Sequence, residues 1–240
     1  MKTWQKILIP TLISLLVCGG YLLYVYKQRQ NPGVIGPGEP APATNPDDVA
    51  VVRLEFPQHF DDLNVLENKR VWMKNGYSMP YYPYVSGQVQ FAKPAGLLPA
   101  AQPLDVKKIT KQAVSAKVDD GLEHGSKQAM VVFAIPGKDG LFATAVGSMQ
   151  GNQEAYFIDN LFYYDDPHKI YDNWPKDVWA AIDAHQVKPG MSELQTQMSI
   201  GMKAQPDGKE EGNRTVTYDQ DGKHWTVTYA NRRATEIKSE

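Results

Sequence analysis

The stretch Val187–Gly201, "VKPGMSELQTQMSIG", decides how the C-terminal third of the chain is read. Ser192 stands three residues before Gln195, the spacing of a capping box. In that arrangement the serine hydroxyl accepts the N–H of the third helical residue, and the glutamine side chain reaches back to the N–H of the cap. Gly190 supplies a tight entry ahead of the cap, and Gly201 ends the helix where a left-handed residue is tolerated. Gly190, Ser192, Gln195 and Gly201 thereby acquire structural roles, each worth up to about 1–2 kcal/mol, without any substrate.

Working outward, "DDPHKIYDNWPKDVWAAIDAHQV" precedes this helix. Asn173 is read as an N-cap there, with Pro175 near the helix start and Val178, Trp179 and Ile182 at helical spacing. Downstream, "RTVTYDQDGKHWTVTYANRRATEI" predicts a meander of three strands, with turns at Asp221–Gly222 and near Asn231. By the period of two, Trp225, Val227 and Tyr229 fall on one face and Thr226 and Thr228 on the other. Two short helices are available to cover the apolar face.

Helix, V-x-x-GM-S-x-x-Q turn, glycine-closed helix and β-meander together resemble the SmpA/OmlA lipoproteins of outer-membrane assembly, the BamE-like fold. Val187, Gly190, Met191, Ser192, Gln195, Gly201 and the hairpin on Gly222 carry the likeness, which covers about seventy residues. The chain departs from that pattern after Gly201, where Met202 stands in place of the usual proline and Pro206 comes only later. The same arrangement occurs in β-lactamase inhibitor proteins. The resemblance therefore implies a fold, a module of two helices and a three-stranded antiparallel sheet, more firmly than it implies a partner.

Before this module, from Val49, short β-like runs alternate with Gly, Pro, Asn and Asp punctuation: "VAVVRLEF", "KRVWMK", "GQVQF", "LDVKKIT", "QAMVVFAI", "LFATAVG" and "EAYFIDNLFYY". Seven such runs with no amphipathic helix among them predict a small sandwich or barrel. "NKRVWMKNGY", a long polar-aromatic loop and the return through "AGLLPAAQPLDVKKI" resemble an SH3-like domain over about fifty residues. In such a domain "GYSMPYYPY" reads as an amphipathic loop whose Tyr77, Met79, Tyr81, Tyr82 and Tyr84 form a surface for a protein or glycan partner; the competing reading is core packing.

At the other end, "ILIPTLISLLVCGGYLLYVY", Ile7–Tyr26, carries no charged side chain over twenty residues. A helix of that length spans about 30 Å, the thickness of a bilayer's hydrocarbon core. A signal anchor is the expectation; lipidation at Cys18 and cleavage as a secretory signal are the alternatives. Lys2 and Lys6 before the run nearly balance Lys27 and Arg29 after it, so charge alone does not orient the span. Residues 31–48 hold five prolines and three glycines, a semi-rigid tether that reaches up to about 55 Å if polyproline-like.

Chemistry leaves little trace. The net charge of −2 and pI near 6.2 give no basic excess to recruit nucleic acid. The histidine–aspartate neighbours at His59, His124 and His168 lack the spacing of zinc or calcium sites. No nucleophile elbow or phosphate-cradling glycine loop occurs, and Cys18, the only cysteine, lies in the apolar run.

The sequence thus predicts an α+β chain divided into a membrane anchor (1–29), a linker (30–48), a β-rich SH3-like domain (49–166) and a BamE-like domain (167–240). No catalytic, metal or cofactor residues and no small-molecule substrate are assigned. The expected role is a single-pass membrane protein with its globular part outside the cytoplasm, binding or scaffolding a protein partner in the envelope. The alternatives are cell-wall binding, and a hydrolase whose site forms only on folding.

Overall fold

In the computed structural model, the described residues are 19, 21, 45–114, 118, 127–151, 153–206 and 210–239. No helix among them is long and apolar enough to cross a membrane. The anticipated span at 7–26, Cys18 included, and the tether up to residue 44 lie outside them apart from Gly19 and Tyr21.

Among the described residues, nine strands form one antiparallel sheet. They are β1 (Arg70–Met73), β2 (Pro80–Val85), β3 (Gln88–Val89), β4 (Gly96–Leu97), β5 (Pro103–Gln112), β6 (Lys127–Ala134), β7 (Phe142–Gln150), β8 (Gln153–Tyr156) and β9 (Phe162–Tyr163). The main path runs β3-β2-β7-β6-β5-β1-β9, with β4 added to β2 and β8 to β7. Strand β6 is buried continuously from Gln128 to Phe133. An unbroken apolar run such as "AMVVF" is what a strand covered on both faces requires.

Three sequence readings change. "VAVVRLEF" is not a strand: Val49–Phe56 runs outside both sheets as a strap. "PYYPYV", read as a loop, is β2, paired through Tyr82 with Ala143 and through Pro83 with Phe142 of β7. "EAYFIDNLFYY" is not one strand but β8, a single helical turn α1 (Ile158–Leu161) and β9.

Strand β9 is two residues long and shows how the chain continues past the expected boundary at 166. Phe162 joins the core of the large sheet while Tyr163 points the other way, into a second cluster with Tyr171, Trp174, Trp179 and Met198. On β1 the same alternation sends Val71 and Met73 to the first core and Trp72 to the second. Residues 44–240 accordingly form one compact unit.

That second cluster is built on α2 (Pro167–Ile170), α3 (Lys176–Asp183) and α4 (Glu193–Ile200). Helix α3 begins on Pro175, whose carbonyl accepts from Val178 and Trp179; Asn173 does not cap it and instead donates its side-chain amide to the Asp47 carbonyl. Helix α4 carries the capping box: Gln195 N–H donates to Ser192 Oγ at 3.1 Å and Ser192 N–H to Gln195 Oε1 at 2.9 Å. Beyond it, β10 (Lys203–Pro206), β11 (Thr215–Gln220), β12 (Lys223–Ala230) and β13 (Arg233–Ser239) form a separate antiparallel sheet in that order. Four strands replace the three expected, because "KAQP" pairs back on Tyr218, Thr217 and Val216. Val216, Tyr218, Val227, Tyr229 and Ala234 pack with Ile200 as the third core.

Gly201 closes α4 at φ 106°, and a Cβ there would lie 2.8 Å from the Asp219 carbonyl and 2.9 Å from Tyr77 Cδ2. Helix end, β11 and the residue after Gly76 meet at a point that admits no side chain. Gly201→Ala combines a left-handed backbone with overpacking and should destabilise the fold by about 2 kcal/mol or more, whereas Gly190→Ala, with open space around its Cβ, should cost about 1 kcal/mol for its positive φ alone. Urea unfolding of both variants measures the difference.

Candidate functional site

The aromatic segment comes first, because the sequence assigns it a partner. Met79, Tyr81 and Tyr82 are buried, and Tyr77 and Tyr84 are partly buried. Tyr81 stands edge-on to Phe142 with centroids 5.3 Å apart, and Tyr82 edge-on to Phe91 at 5.2 Å. Lys138 Nζ donates to Tyr81 Oη at 2.6 Å. Adjacent strand residues face opposite ways, so the burial of both Tyr81 and Tyr82 means both faces of β2 are covered. The five side chains do not form a fully exposed platform: Met79, Tyr81 and Tyr82 are core, and Tyr77 and Tyr84 keep part of their surface.

The glycines and caps are where turn geometry requires them. Gly190 has φ 89° and donates its N–H to the Ala234 carbonyl at 2.9 Å. Asp221 and Gly222 both have positive φ and join β11 to β12 through a two-residue turn, with Gly222 N–H donating to Asp219 Oδ1.

Among the ion pairs that sequence reading missed, one is buried. Glu193, noted only as part of "SELQ", is 3% exposed and takes Arg214 in a forked pair at 3.0 and 2.7 Å, with Gly212 N–H on the same carboxylate at 2.8 Å. Twenty-one residues separate the partners, so no local pattern announces them. The pair fixes the segment entering β11 onto α4.

Among the described residues no group of three or more His, Cys, Asp or Glu side chains could hold a metal. Asp62 accepts the N–H groups of Gln58 and His59 at 2.8 Å each. His168 stacks on Trp179 at 4.0 Å and lies between Asp166 and Asp183. His124, with Asp119 and Asp120, falls outside the described residues.

An open groove of about 810 Å³ lies between residues 58–59 and the β7–β8 hairpin. Pairing puts Gln150 opposite Gln153 and Ser148 opposite Ala155, all on one face. Across β6 and β5 the same row continues under cover, Ser148 facing Gln128 and Gln128 facing Gln112. Glu154 sits at the rim, accepting Tyr156 Oη at 2.7 Å and Phe60 N–H at 3.3 Å; these hydrogen bonds, Tyr156 first, hold its carboxyl below the ordinary range. Gly147 lets the hairpin close, since a Cβ would meet the Ala155 carbonyl and the Tyr156 ring, both at 2.5 Å.

Residues 49–56 make the second exposed feature. Ala50 and Val52 pack on the second cluster while Val49, Val51, Leu54 and Phe56 are exposed, Val51 at 98%. Backbone groups of residues 50–54 make no hydrogen bond among the described residues. The ends are held. Asp47 O accepts Trp174 Nε1 at 2.8 Å and its carboxylate pairs with Arg233, while Asp159 accepts Glu55 N–H and Phe56 N–H at 2.8 Å each. Burial works against the Asp159 carboxylate, but the bonds from Tyr164, Glu55 and Phe56 outweigh it and keep its pKa low.

His185 is the titratable group with the clearest consequence. Its φ is 54°, its ring is edge-on to Tyr77, and Nδ1 is buried without a partner among the described residues. Burial pushes its pKa below 6.5. Above that value both folded and unfolded chains are neutral at this residue; as pH falls below it the unfolded chain takes the proton first, so stability declines. Denaturation midpoints measured from pH 7 down to about pH 5 should fall, and His185→Asn, which tolerates the left-handed backbone, should flatten that slope. Arg214→Met should cost about 3–5 kcal/mol by leaving the buried Glu193 carboxylate without its guanidinium counter-charge, and adding Glu193→Leu should recover much of it.

No protein-family model, curated protein or solved structure matches this chain.

Proposed function

We propose that this protein is a non-catalytic binding module, held at a membrane by its N-terminal apolar segment with the globular unit outside the cytoplasm, and that it scaffolds a protein partner of the cell envelope. The observation that carries the reading is the strap. An extended segment with unpaired backbone donors and acceptors and four exposed apolar side chains is the surface onto which a partner strand adds, main-chain bonds giving affinity and alternate side chains giving specificity. Held at Asp47 and at Asp159, it is presented without having to be ordered on binding, which lowers the entropic cost of association.

The module reading of 167–240 as BamE-like rests on the order of helix, capping box, glycine-closed helix and hairpin on Gly222. The SH3-like reading of 49–166 rests on the antiparallel return of β5 onto β1. Membrane attachment rests on the uncharged run from Ile7 to Tyr26.

Crosslinking of the full-length chain in its native membrane tests the proposal. A defined partner should be recovered with the native chain and lost with Val51→Glu, which places a charge on the strap; Val51 is 98% exposed, so thermal stability should change by less than about 0.5 kcal/mol. An identical partner set from the variant would remove the strap from the reading.

A further inference from the structure

The groove between residues 58–59 and the β7–β8 hairpin is not used by the strap and has a chemistry of its own. Its lining is amide, hydroxyl and imidazole, from Gln58, Ser148, Gln150, Gln153 and His59, with the Glu154 carboxylate at the rim. Among the described residues no lysine or arginine lines it. Lys111, the nearby cation, lies over the Phe60 ring at 4.2 Å. Asp61 and Asp62 add negative charge around Tyr156. Among the described groups, a phosphate or other anion would meet the carboxylates of Glu154, Asp61 and Asp62, with Lys111 held over the Phe60 ring, and an apolar ligand would strand the polar lining.

What fits is a neutral ligand offering many donors and acceptors at once. Each glutamine amide donates and accepts, and a serine hydroxyl does both, so each can bond a ligand hydroxyl in either direction. The side chains of Ser148, Gln150 and Gln153 make no hydrogen bond among the described residues, which leaves their capacity for a ligand. Their positions are fixed by the β7–β8 ladder, which holds Gln150 opposite Gln153 and Ser148 opposite Ala155, and not by a mobile loop. A volume of about 810 Å³ exceeds a single sugar ring and matches a short chain of them.

We infer that this groove binds a segment of an uncharged oligosaccharide, with Gln150, Gln153 and Ser148 as its hydrogen-bonding floor and Gln58 and His59 as the opposing wall. The inference is independent of the strap: Val51 does not line the groove, so a chain that loses its protein partner should keep its sugar binding, and the reverse.

The test titrates the full-length chain, in micelles of a detergent without a sugar headgroup, with three probes: an N-acetylglucosamine tetramer, a glucose tetramer and a neutral alanine tetrapeptide blocked at both ends. Binding is followed by calorimetry and by saturation transfer from protein to ligand. Saturable binding of at least one tetrasaccharide is expected, and the preference between the two identifies whether the acetamido group is read. Gln153→Ala and Ser148→Ala should each weaken it by about three- to tenfold, the effect of one net hydrogen bond. Gln150→Ala/Gln153→Ala should abolish it, with the unfolding midpoint unchanged because both side chains are exposed. The inference is overturned if neither sugar binds saturably, if the tetrapeptide binds as tightly as the sugars, or if the double variant binds like the native chain.

Discussion

Strands β1 and β9 occupy the edge of the large sheet, and both of their faces are buried. That two-sided burial is the constraint on which the rest of the molecule depends. Val71, Met73 and Phe162 close the core of the nine-stranded sheet, and Trp72 and Tyr163, one residue away in each strand, seed the aromatic cluster that receives the helices. An edge strand left open on one face would present apolar side chains and unpaired backbone together. Here the helical layer covers that face. Tyr163 lies 6.2 Å from Tyr171, Tyr171 and Trp174 stack at 4.4 Å and Trp174 lies 5.2 Å from Trp179, so these four rings pack in one cluster with Met191 and Met198.

Polar groups then fix how the layers are registered. The Glu193–Arg214 pair locks α4 to the chain entering β11, and Tyr218 and Tyr229 share a hydrogen bond at 2.7 Å inside the small sheet's core. Buried groups of this kind add little net stability compared with apolar packing of the same volume, but each disfavours every arrangement that leaves it unpaired. At the junction of the two sheets, Gln220 donates to the carbonyl of His185, beside the ring edge of Tyr77 and the glycine that ends α4. The same neighbourhood holds the buried Nδ1 of His185, whose pKa is lowered by burial.

The two exposed features follow each other along the chain. The strap ends at Phe56, and the groove's wall begins at Gln58, with Asp159 and Asp62 accepting backbone N–H groups on either side of Pro57. One is apolar with unpaired main chain, and the other is lined by neutral polar side chains. Their chemistries differ, and they are neighbours along the chain.

How much of this was legible without the fold depends on the range of the interactions. The capping box at Ser192 and Gln195, the helix end at Gly201, the turn at Gly222 and strands β1, β5, β6 and β7 are set by contacts within a few residues, and local spacing identifies them. The α+β class follows from the same signals. Tertiary structure decided the remainder. Whether "VAVVRLEF" becomes a strand depends on finding a ladder partner, and none is found among the described residues; whether "PYYPYV" is a loop or a strand depends on β7, about sixty residues away. Tyr81 and Tyr82 look like a surface until both faces of β2 are covered. Glu193 meets Arg214, and Gln150 lines up with Gln153, Ser148 and Gln128, only after strands far apart in sequence are paired, because side-chain convergence over such distances is a property of packing and leaves no periodicity behind.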